Sequence, residues 1–242
     1  MARYQIAGLQ VEMAPAYPLL QRQAAAYEQP SDQPPDMTLT ISDRRMAQKR
    51  HDFPHFSCED CEYFFLGSDF YTHLLDYRGC MIHASAVMVD GQAYLFSAPC
   101  GTGKSTHTGL WRQYMGDRAV ILNDDKPAVR QQDGQLCVYG TPFSGKSDLN
   151  VNRRAPLKAI CMLAQGSENV IRRLSPGEAI PLLMQQTVRP ASADRMGSLL
   201  MRLDEILRAV PVFHMACTIS EDAVRTSYEA MSGQPYDRVK AR

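Results

Sequence analysis

A glycine-rich segment, residues 98–106, constrains the fold more than any other feature of this sequence. It consists of A-P-C-G-T-G-K-S-T and matches the phosphate-loop pattern G-x-x-x-x-G-K-[ST], with Ala98 where the first glycine of that pattern stands. A loop of this kind needs a strand that leads into it and a helix that begins at its end. Residues 93–96 have the apolar character of such a strand, and residues 105–114 are predicted to form the helix. The chain is therefore expected to contain an α/β unit around this loop.

The residue types in this loop suit the binding of nucleotide phosphates. Glycines let backbone N–H groups turn towards phosphate oxygens, and the start of the helix adds positive potential at the same place. Lys104 is expected to reach the β- and γ-phosphates of ATP, and the Ser105 hydroxyl to bind Mg²⁺. A glycine-rich turn that only caps a helix is the alternative. The predicted nucleotide-binding residues are Cys100, Gly101, Thr102, Gly103, Lys104, Ser105 and Thr106.

Two adjacent carboxylates, Asp124 and Asp125, follow the next apolar run, residues 119–122. In phosphate-loop enzymes a carboxylate at the end of such a strand holds the metal ion. Of two neighbouring carboxylates, one is able to bind Mg²⁺ and the other to accept a proton from an incoming hydroxyl. A solvated turn is the alternative, because Asn-Asp-Asp is also favourable turn chemistry.

The chain divides into an N-terminal region, residues 1–78, and a more regular part, residues 79–242. In the second part, the dipeptides Asp90-Gly91 and Asp133-Gly134 predict hairpin turns, and helical patterns follow towards the C-terminus. Strands and helices do not alternate strictly. We therefore expect an α/β fold with a mixed β-sheet around the phosphate loop, and a smaller N-terminal region that contains β-structure.

Several local expectations refer to single segments. Residues 6–11 predict one strand, and residues 21–36, rich in Gln, Ala and Pro, predict a turn or a mobile connector. Residues 68–77 predict a short helix with Ser68 as its N-cap. Residues 169–173 are expected to pair with the strand at 157–163.

Composition excludes several classes of protein. Lys and Arg number 26, as do Asp and Glu, so the formal net charge is zero, which argues against bulk attraction to nucleic acid or an anionic membrane. We find neither an apolar run long enough to span a bilayer nor a signal peptide at the N-terminus. Seven scattered cysteines are typical of free thiols in a reducing compartment. A cytoplasmic protein is expected.

Four sequence blocks, taken in order, resemble a known family. They are I-H-A-S-A-V-M-V at 82–89, the loop at 98–106, L-N-D-D-K-P at 122–127 and Y-G-T-P-F-S-G-K at 139–146. The chain is similar in these blocks to HPr kinase/phosphorylase and the ATP-dependent phosphoenolpyruvate carboxykinases, and most of all to HPr-kinase-like proteins of uncertain substrate. The resemblance covers residues 80–240 and implies the P-loop kinase core of that fold type.

The resemblance also implies roles for single residues. Lys104 binds the nucleotide phosphates and Ser105 helps to hold Mg²⁺. Asp124 is the base towards the acceptor hydroxyl, Asp125 is the metal-side partner, and His83 lies near the aspartate pair. Read without the family, a lone histidine at the start of an apolar strand is more often a core residue. Lys146 lies in a small cationic turn, where it either neutralises charge on the phosphoryl group or is an exposed loop lysine.

The leading hypothesis is an ATP- and Mg²⁺-dependent kinase that phosphorylates a hydroxyl, such as a serine of a protein or peptide. Two alternatives stay open: a small-molecule kinase of the same fold, and a non-catalytic nucleotide-binding maturation or regulatory factor. Residues 1–78 are rich in aromatic residues, including Tyr63, Phe64 and Phe65. They serve either to dock the acceptor or to complete the core.

Overall fold

The computed structural model describes residues 1–241 and shows the mixed α/β architecture that the sequence predicts. The strands are β1 (Ala2–Ile6), β2 (Leu9–Met13), β3 (Met37–Leu39), β4 (Gly79–Met81), β5 (Ala84–Val89), β6 (Gln92–Ser97), β7 (Ala119–Asn123), β8 (Ala128–Gln132), β9 (Gln135–Tyr139), β10 (Arg154–Gln165), β11 (Val170–Arg173) and β12 (Val212–Cys217). The α-helices are α1 (Pro18–Ala24), α2 (Asp43–Asp52), α3 (Cys58–Leu74), α4 (Lys104–Met115), α5 (Pro176–Gln185), α6 (Ala193–Ala209) and α7 (Glu221–Ser232).

The large sheet is mixed, in the order β4-β8-β9-β10-β6-β5-β7, and β12 and β11 extend it beside β10. At its centre, β10 pairs in parallel with β6 and β12 and antiparallel with β9. Helices cover both faces of this strand, so residues 159–163 are all buried. This explains the continuous apolar run A-I-C-M-L, because a strand covered on both faces does not alternate polar and apolar residues.

The strand directions bring several loops to one edge of the sheet. Because β5 pairs antiparallel with both β6 and β7, these two run in the same direction, and β10 and β12 run with them. The carboxyl ends of all four strands therefore lie at one edge. In open α/β sheets ligands bind at this edge.

The two predicted hairpin turns are confirmed. Asp90 and Gly91, between β5 and β6, both have positive φ values of 48° and 75°. Asp133 and Gly134, between β8 and β9, have 53° and 78°. Two successive residues with positive φ are the geometry of a type I′ turn, which matches the twist of the strands on either side.

The N-terminal region is more regular than predicted. The predicted strand at 6–11 is wrong, because Ala7 and Gly8 turn the chain between β1 and β2, with φ values of 52° and 74°. The predicted connector at 21–36 begins inside α1. The predicted helix at 68–77 starts ten residues earlier, as α3, because Ser57 and Asp60 form a capping box at its N-terminus.

One strand pairing also differs from expectation. Residues 170–173 form β11, which pairs antiparallel with β12 and not with β10. The parallel contacts of β10 with β6 and β12 occupy both of its edges over residues 160–162, so β11 finds a free edge only on β12.

The core has three clusters. One lies between the sheet and helices α5 and α6, and a second lies between the opposite face and helices α4 and α7. The third joins the N-terminal strands and α3 to Met81, Ala128, Cys137, Tyr139 and Phe143 of the large-sheet part. The boundary at residue 78 stays a prediction, but the two parts share this third cluster.

Within residues 1–241, no helix combines the length and the hydropathy needed to cross a membrane.

Candidate functional site

The candidate phosphate loop lies between the end of β6 and the start of α4. Gly101 and Gly103 have φ values of 79° and 112°, in the region that glycine favours. A Cβ atom on either glycine would meet nothing within 4 Å. Backbone conformation and not crowding therefore requires glycine here, and the loop surface is open to a ligand at the N-terminus of α4.

Lys104 folds back across this loop. Its Nζ donates hydrogen bonds to the carbonyl oxygens of Ala98 at 2.9 Å and Pro99 at 3.4 Å. The residue is 8% exposed. Burial lowers the pKa of Lys104, although the carboxylates of Asp125 and Asp124 act in the opposite direction. The amine is thus held beside the loop by two of the loop's own carbonyl groups.

The other loop residues differ in their exposure. The side chains of Cys100, Ser105 and Thr106 are exposed, and that of Thr102 is half-buried. Ser105 lies in the first turn of α4, where its hydroxyl is open to solvent.

A buried chain of hydroxyl groups joins Asp124 to α4. The Ser85 hydroxyl of β5 donates to Asp124 Oδ1 at 2.6 Å, and it lies 2.7 Å from the Thr108 hydroxyl of α4. Thr108 also donates to the Lys104 carbonyl at 3.3 Å. Ser85 and Thr108 are fully buried, and Asp124 is 6% exposed. These contacts fix one oxygen of Asp124 relative to α4.

Asp125 has a different set of partners from Asp124. Its Oδ1 is 3.2 Å from His83 Nε2, and its Oδ2 contacts Lys126 Nζ. Burial by itself raises the pKa of this carboxyl, but the hydrogen bond from His83 and the charge of Lys126 outweigh burial. The pKa of Asp125 is therefore held below its ordinary value, and the carboxylate stays ionised at neutral pH.

Asn123 shapes the turn that presents both aspartates. Its side-chain Oδ1 accepts from the backbone N–H groups of Asp125 at 2.9 Å and Lys126 at 2.7 Å. Its Nδ2 donates to the carbonyl of Thr141 at 2.9 Å. Asn123, Asp124 and Asp125 therefore form a hydrogen-bonded turn, and this turn also brings the two carboxylates together.

Gln186 is a site residue that the sequence analysis missed. Its Oε1 lies 3.0 Å from His83 Nδ1, and its carbonyl accepts from the His83 backbone N–H at 2.6 Å. The side chain of His83 therefore lies between Gln186 and Asp125. Gln186 follows α5, about a hundred residues from His83, and no local motif marks it.

The predicted turn at Lys146 contacts the site through its glycine. A Cβ atom on Gly145 would lie 2.8 Å from Asp125 Oδ2, so only glycine allows this approach. The Gly145 N–H donates to the Tyr63 hydroxyl of α3 at 2.8 Å. The side chain of Lys146 itself is exposed. Lys126, which the sequence analysis did not single out, is the lysine in contact with Asp125.

A groove of about 550 Å³ runs from the loop along the sheet edge. On one side it is lined by Gly101, Thr102, Gly103 and Thr106. On the other it is lined by the ends of β10 and β12 and the residues after them, including Gln165, Gly166, Thr218 and Ile219. Ile219 is 79% exposed. The groove is large enough and sufficiently mixed in polarity for a nucleoside.

Comparisons with known proteins identify the family. The family model described as SynChlorMet cassette protein ScmC matches residues 65–224, which is more than half of the chain, so this protein belongs to that family. No curated protein matches the sequence. Among solved structures, the Hpr(Ser) kinase/phosphatase from Coxiella burnetii is similar, with 15% sequence identity and a TM-score of 0.35. The alignment covers 65% of this chain and 94% of that one.

Proposed function

We propose that this member of the ScmC family is an ATP- and Mg²⁺-dependent kinase that transfers the γ-phosphoryl group to a hydroxyl, such as a serine of a protein or peptide. The observation that carries the proposal is the contact chain from the glycine-rich loop and α4, through Thr108 and Ser85, to Asp124, with Asp125 beside it. Phosphoryl transfer depends mainly on positioning and on neutralisation of charge, and this arrangement serves both needs.

The phosphates of ATP would lie on the loop, against the backbone of residues 100–106. Lys104 would exchange its contacts with the Ala98 and Pro99 carbonyls for phosphate oxygens, since these lie at the same end of the loop. The nucleoside would occupy the groove beside Gln165 and Thr218.

The protein groups fit Mg²⁺ bound to nucleotide. Residues 1–241 hold no cluster of three or more His, Cys, Asp or Glu side chains that suits a metal ion. Nucleotide-bound Mg²⁺ needs no such cluster, since phosphate oxygens and water complete its shell around one or two protein groups. The exposed Ser105 hydroxyl and one aspartate meet this need, and the bound ion would neutralise the charge that develops on the phosphates.

The contacts favour an assignment of the two aspartates opposite to the one that the resemblance implies. Asp124 is tied through Ser85 and Thr108 to the helix that carries Ser105, which suits the metal side. Asp125 is more accessible and lies among His83, Lys126 and the Gly145 turn, which suits the acceptor side. We therefore propose Asp124 as the metal-side carboxylate and Asp125 as the base.

In the proposed transfer, the acceptor oxygen forms a bond to the γ-phosphorus while the bond from phosphorus to the β–γ bridging oxygen breaks. ADP leaves with that electron pair, and the acceptor proton passes to Asp125. Lys126 contacts Asp125 and would neutralise charge on a phosphoryl group that is transferred beside it.

Nucleotide binding is tested by thermal unfolding. ATP with Mg²⁺ should raise the melting temperature, because a ligand that binds only the folded state stabilises it. Lys104→Ala should lose most of this shift, and Lys158→Ala, at an exposed position on β10, should retain it. Equal shifts in all three proteins contradict nucleotide binding at this loop.

Transfer is tested with γ-labelled ATP and cell extract, separated into protein and small-molecule fractions. Label in protein supports the proposal, label in small molecules supports a small-molecule kinase, and ATP binding without label supports a non-catalytic factor. Asp125→Asn should retain ATP binding and lose transfer, whereas Asp124→Asn should need more Mg²⁺. The opposite pattern supports Asp124 as the base.

A further inference from the structure

A small apolar pocket opens between α3 and the acceptor side of the candidate site. Its volume is about 150 Å³. One wall is a stripe of α3, formed by Phe64, Gly67, Ser68 and Tyr71. The remaining lining residues are Tyr63, Met81, Lys126, Phe143 and Val188.

The shape of this pocket depends on Gly67. A Cβ atom there would lie 2.9 Å from Phe143 Cδ1, so glycine lets the Phe143 ring pack directly against the helix backbone. That ring also packs on Tyr63 and Tyr71, with centroid distances of 5.8 and 5.7 Å. Four of the nine lining residues are therefore aromatic, and Met81 and Val188 add aliphatic surface, so the pocket suits an apolar side chain.

Lys126 is the one charged residue that lines the pocket, and it connects the pocket to the proposed chemistry. Its ammonium contacts Asp125, and it also lies 5.8 Å from the centre of the Tyr63 ring. A group in the pocket is therefore one lysine side chain away from the carboxylate proposed as the base. Consecutive Cα atoms of a peptide are about 3.8 Å apart, so a residue next to the serine is within reach of the pocket when the serine hydroxyl lies at Asp125.

A partly exposed cluster of aromatic rings adjoins the pocket through Phe64. It consists of Phe53, Phe56, Phe64 and Phe65, whose successive centroid distances are 5.3–5.8 Å. Phe53 is 40% and Phe64 45% exposed. Lys49 lies over the Phe65 ring at 4.5 Å. A surface that leads from a side-chain-sized pocket to an aromatic patch with a lysine beside it fits an extended peptide with apolar and acidic residues better than it fits a small molecule.

We infer that the pocket formed by α3, Phe143, Lys126 and Val188 is a specificity pocket for a peptide acceptor. It takes an apolar side chain next to the phosphorylated serine, and acidic residues further along the peptide lie near Lys49. The inference rests on the proposed kinase function and adds the class of acceptor to it.

The test uses the full chain, Mg-ATP and short synthetic peptides that contain one serine flanked by Gly, Ala and Asp. The members differ only in whether leucine or its near-isostere asparagine stands directly before or after the serine. Burial of leucine should raise kcat/KM roughly tenfold or more over the asparagine peptide. Ser68→Leu fills the mouth of the pocket and should abolish the preference, and Ser68→Ala leaves the mouth open and should retain it.

Two readouts separate this inference from the proposed function. Peptides with alanine in place of serine measure occupancy of the pocket without transfer, and the ATP-induced melting shift reports nucleotide binding alone. Three results overturn the pocket assignment. The first is equal rates and affinities for the leucine and asparagine peptides, and the second is a leucine preference that persists in Ser68→Leu. The third is that no peptide is labelled or bound although ATP still stabilises the protein. Loss of the ATP shift itself counts against the kinase proposal.

Discussion

His107 should make this protein sensitive to mild acid. It lies on the buried face of α4, is 3% exposed, and its ring packs against Phe96 at a centroid distance of 4.6 Å. Nε2 lies 3.0 Å from the Ser227 hydroxyl, whereas the buried Nδ1 has no hydrogen-bond partner within residues 1–241. Burial lowers the pKa of His107 from 6.5 to about 4. The His107 ring therefore binds a proton less readily in the folded protein than in the unfolded chain.

The size of the effect follows from these two pKa values. Stability falls as the pH drops below the unfolded value of 6.5, and the loss is complete only below the folded value of about 4. Between pH 7.5 and pH 5.0, His107 should remove about 2 kcal/mol from the free energy of unfolding, because one pKa unit corresponds to about 1.4 kcal/mol.

Denaturant unfolding at the two pH values measures this loss. His107→Phe removes the titrating group and keeps a ring in place, so its stability should fall about 2 kcal/mol less than that of the parent over the same range. Phe96→Leu perturbs the same packing but retains the histidine, so it should show the pH dependence of the parent. An equal loss in the parent and in His107→Phe would refute a depressed pKa at His107.

Other predictions concern packing and the site. Gly67→Ala should lower stability by about 1–3 kcal/mol because its Cβ meets Phe143 at 2.9 Å, whereas Gly109→Ala, another helix glycine with open space around it, should not; urea unfolding of both compares them directly. Alkylation of exposed Cys100 should block ATP binding, and bound ATP should slow the alkylation; equal alkylation rates with and without ATP would place the thiol outside the site. Deletion of residues 1–50 should unfold the chain, because β1, β2 and α1 contribute to the third core cluster; a cooperative melt in the truncated protein contradicts this. Ser85→Ala should raise the Mg²⁺ concentration that transfer requires, because Asp124 loses the hydrogen bond that positions it; a Mg²⁺ titration curve equal to that of the parent contradicts a positioning role for Ser85.

The parts of the fold that the sequence predicts well are those whose cause is local. Asp90-Gly91 predicts its turn because both residues tolerate positive φ, and the structure shows both there. The apolar run before the glycine-rich loop and the helical pattern after it lie within one or two residues of β6 and α4. The start of α3 also has a local cause, the capping box at Ser57 and Asp60, although the predicted helix began only at residue 68.

The candidate site is only partly local. The loop residues and the aspartate pair are visible as motifs, because phosphate binding and metal binding demand fixed residue types at fixed spacing. Gln186 and Tyr63 carry no such signal. Each acquires its place through a contact with a distant segment: Gln186 with His83, and Tyr63 with Gly145.

The tertiary structure therefore decides which side of the site each carboxylate faces. From sequence alone, Asp124 and Asp125 are equivalent neighbours that share one turn. The turn after β7, which the Asn123 side chain holds, places Asp124 against the buried hydroxyl of Ser85, whereas Asp125 meets His83 and Lys126. Two neighbouring residues of one turn thus have different partners, because different elements of the tertiary structure pack against each of them.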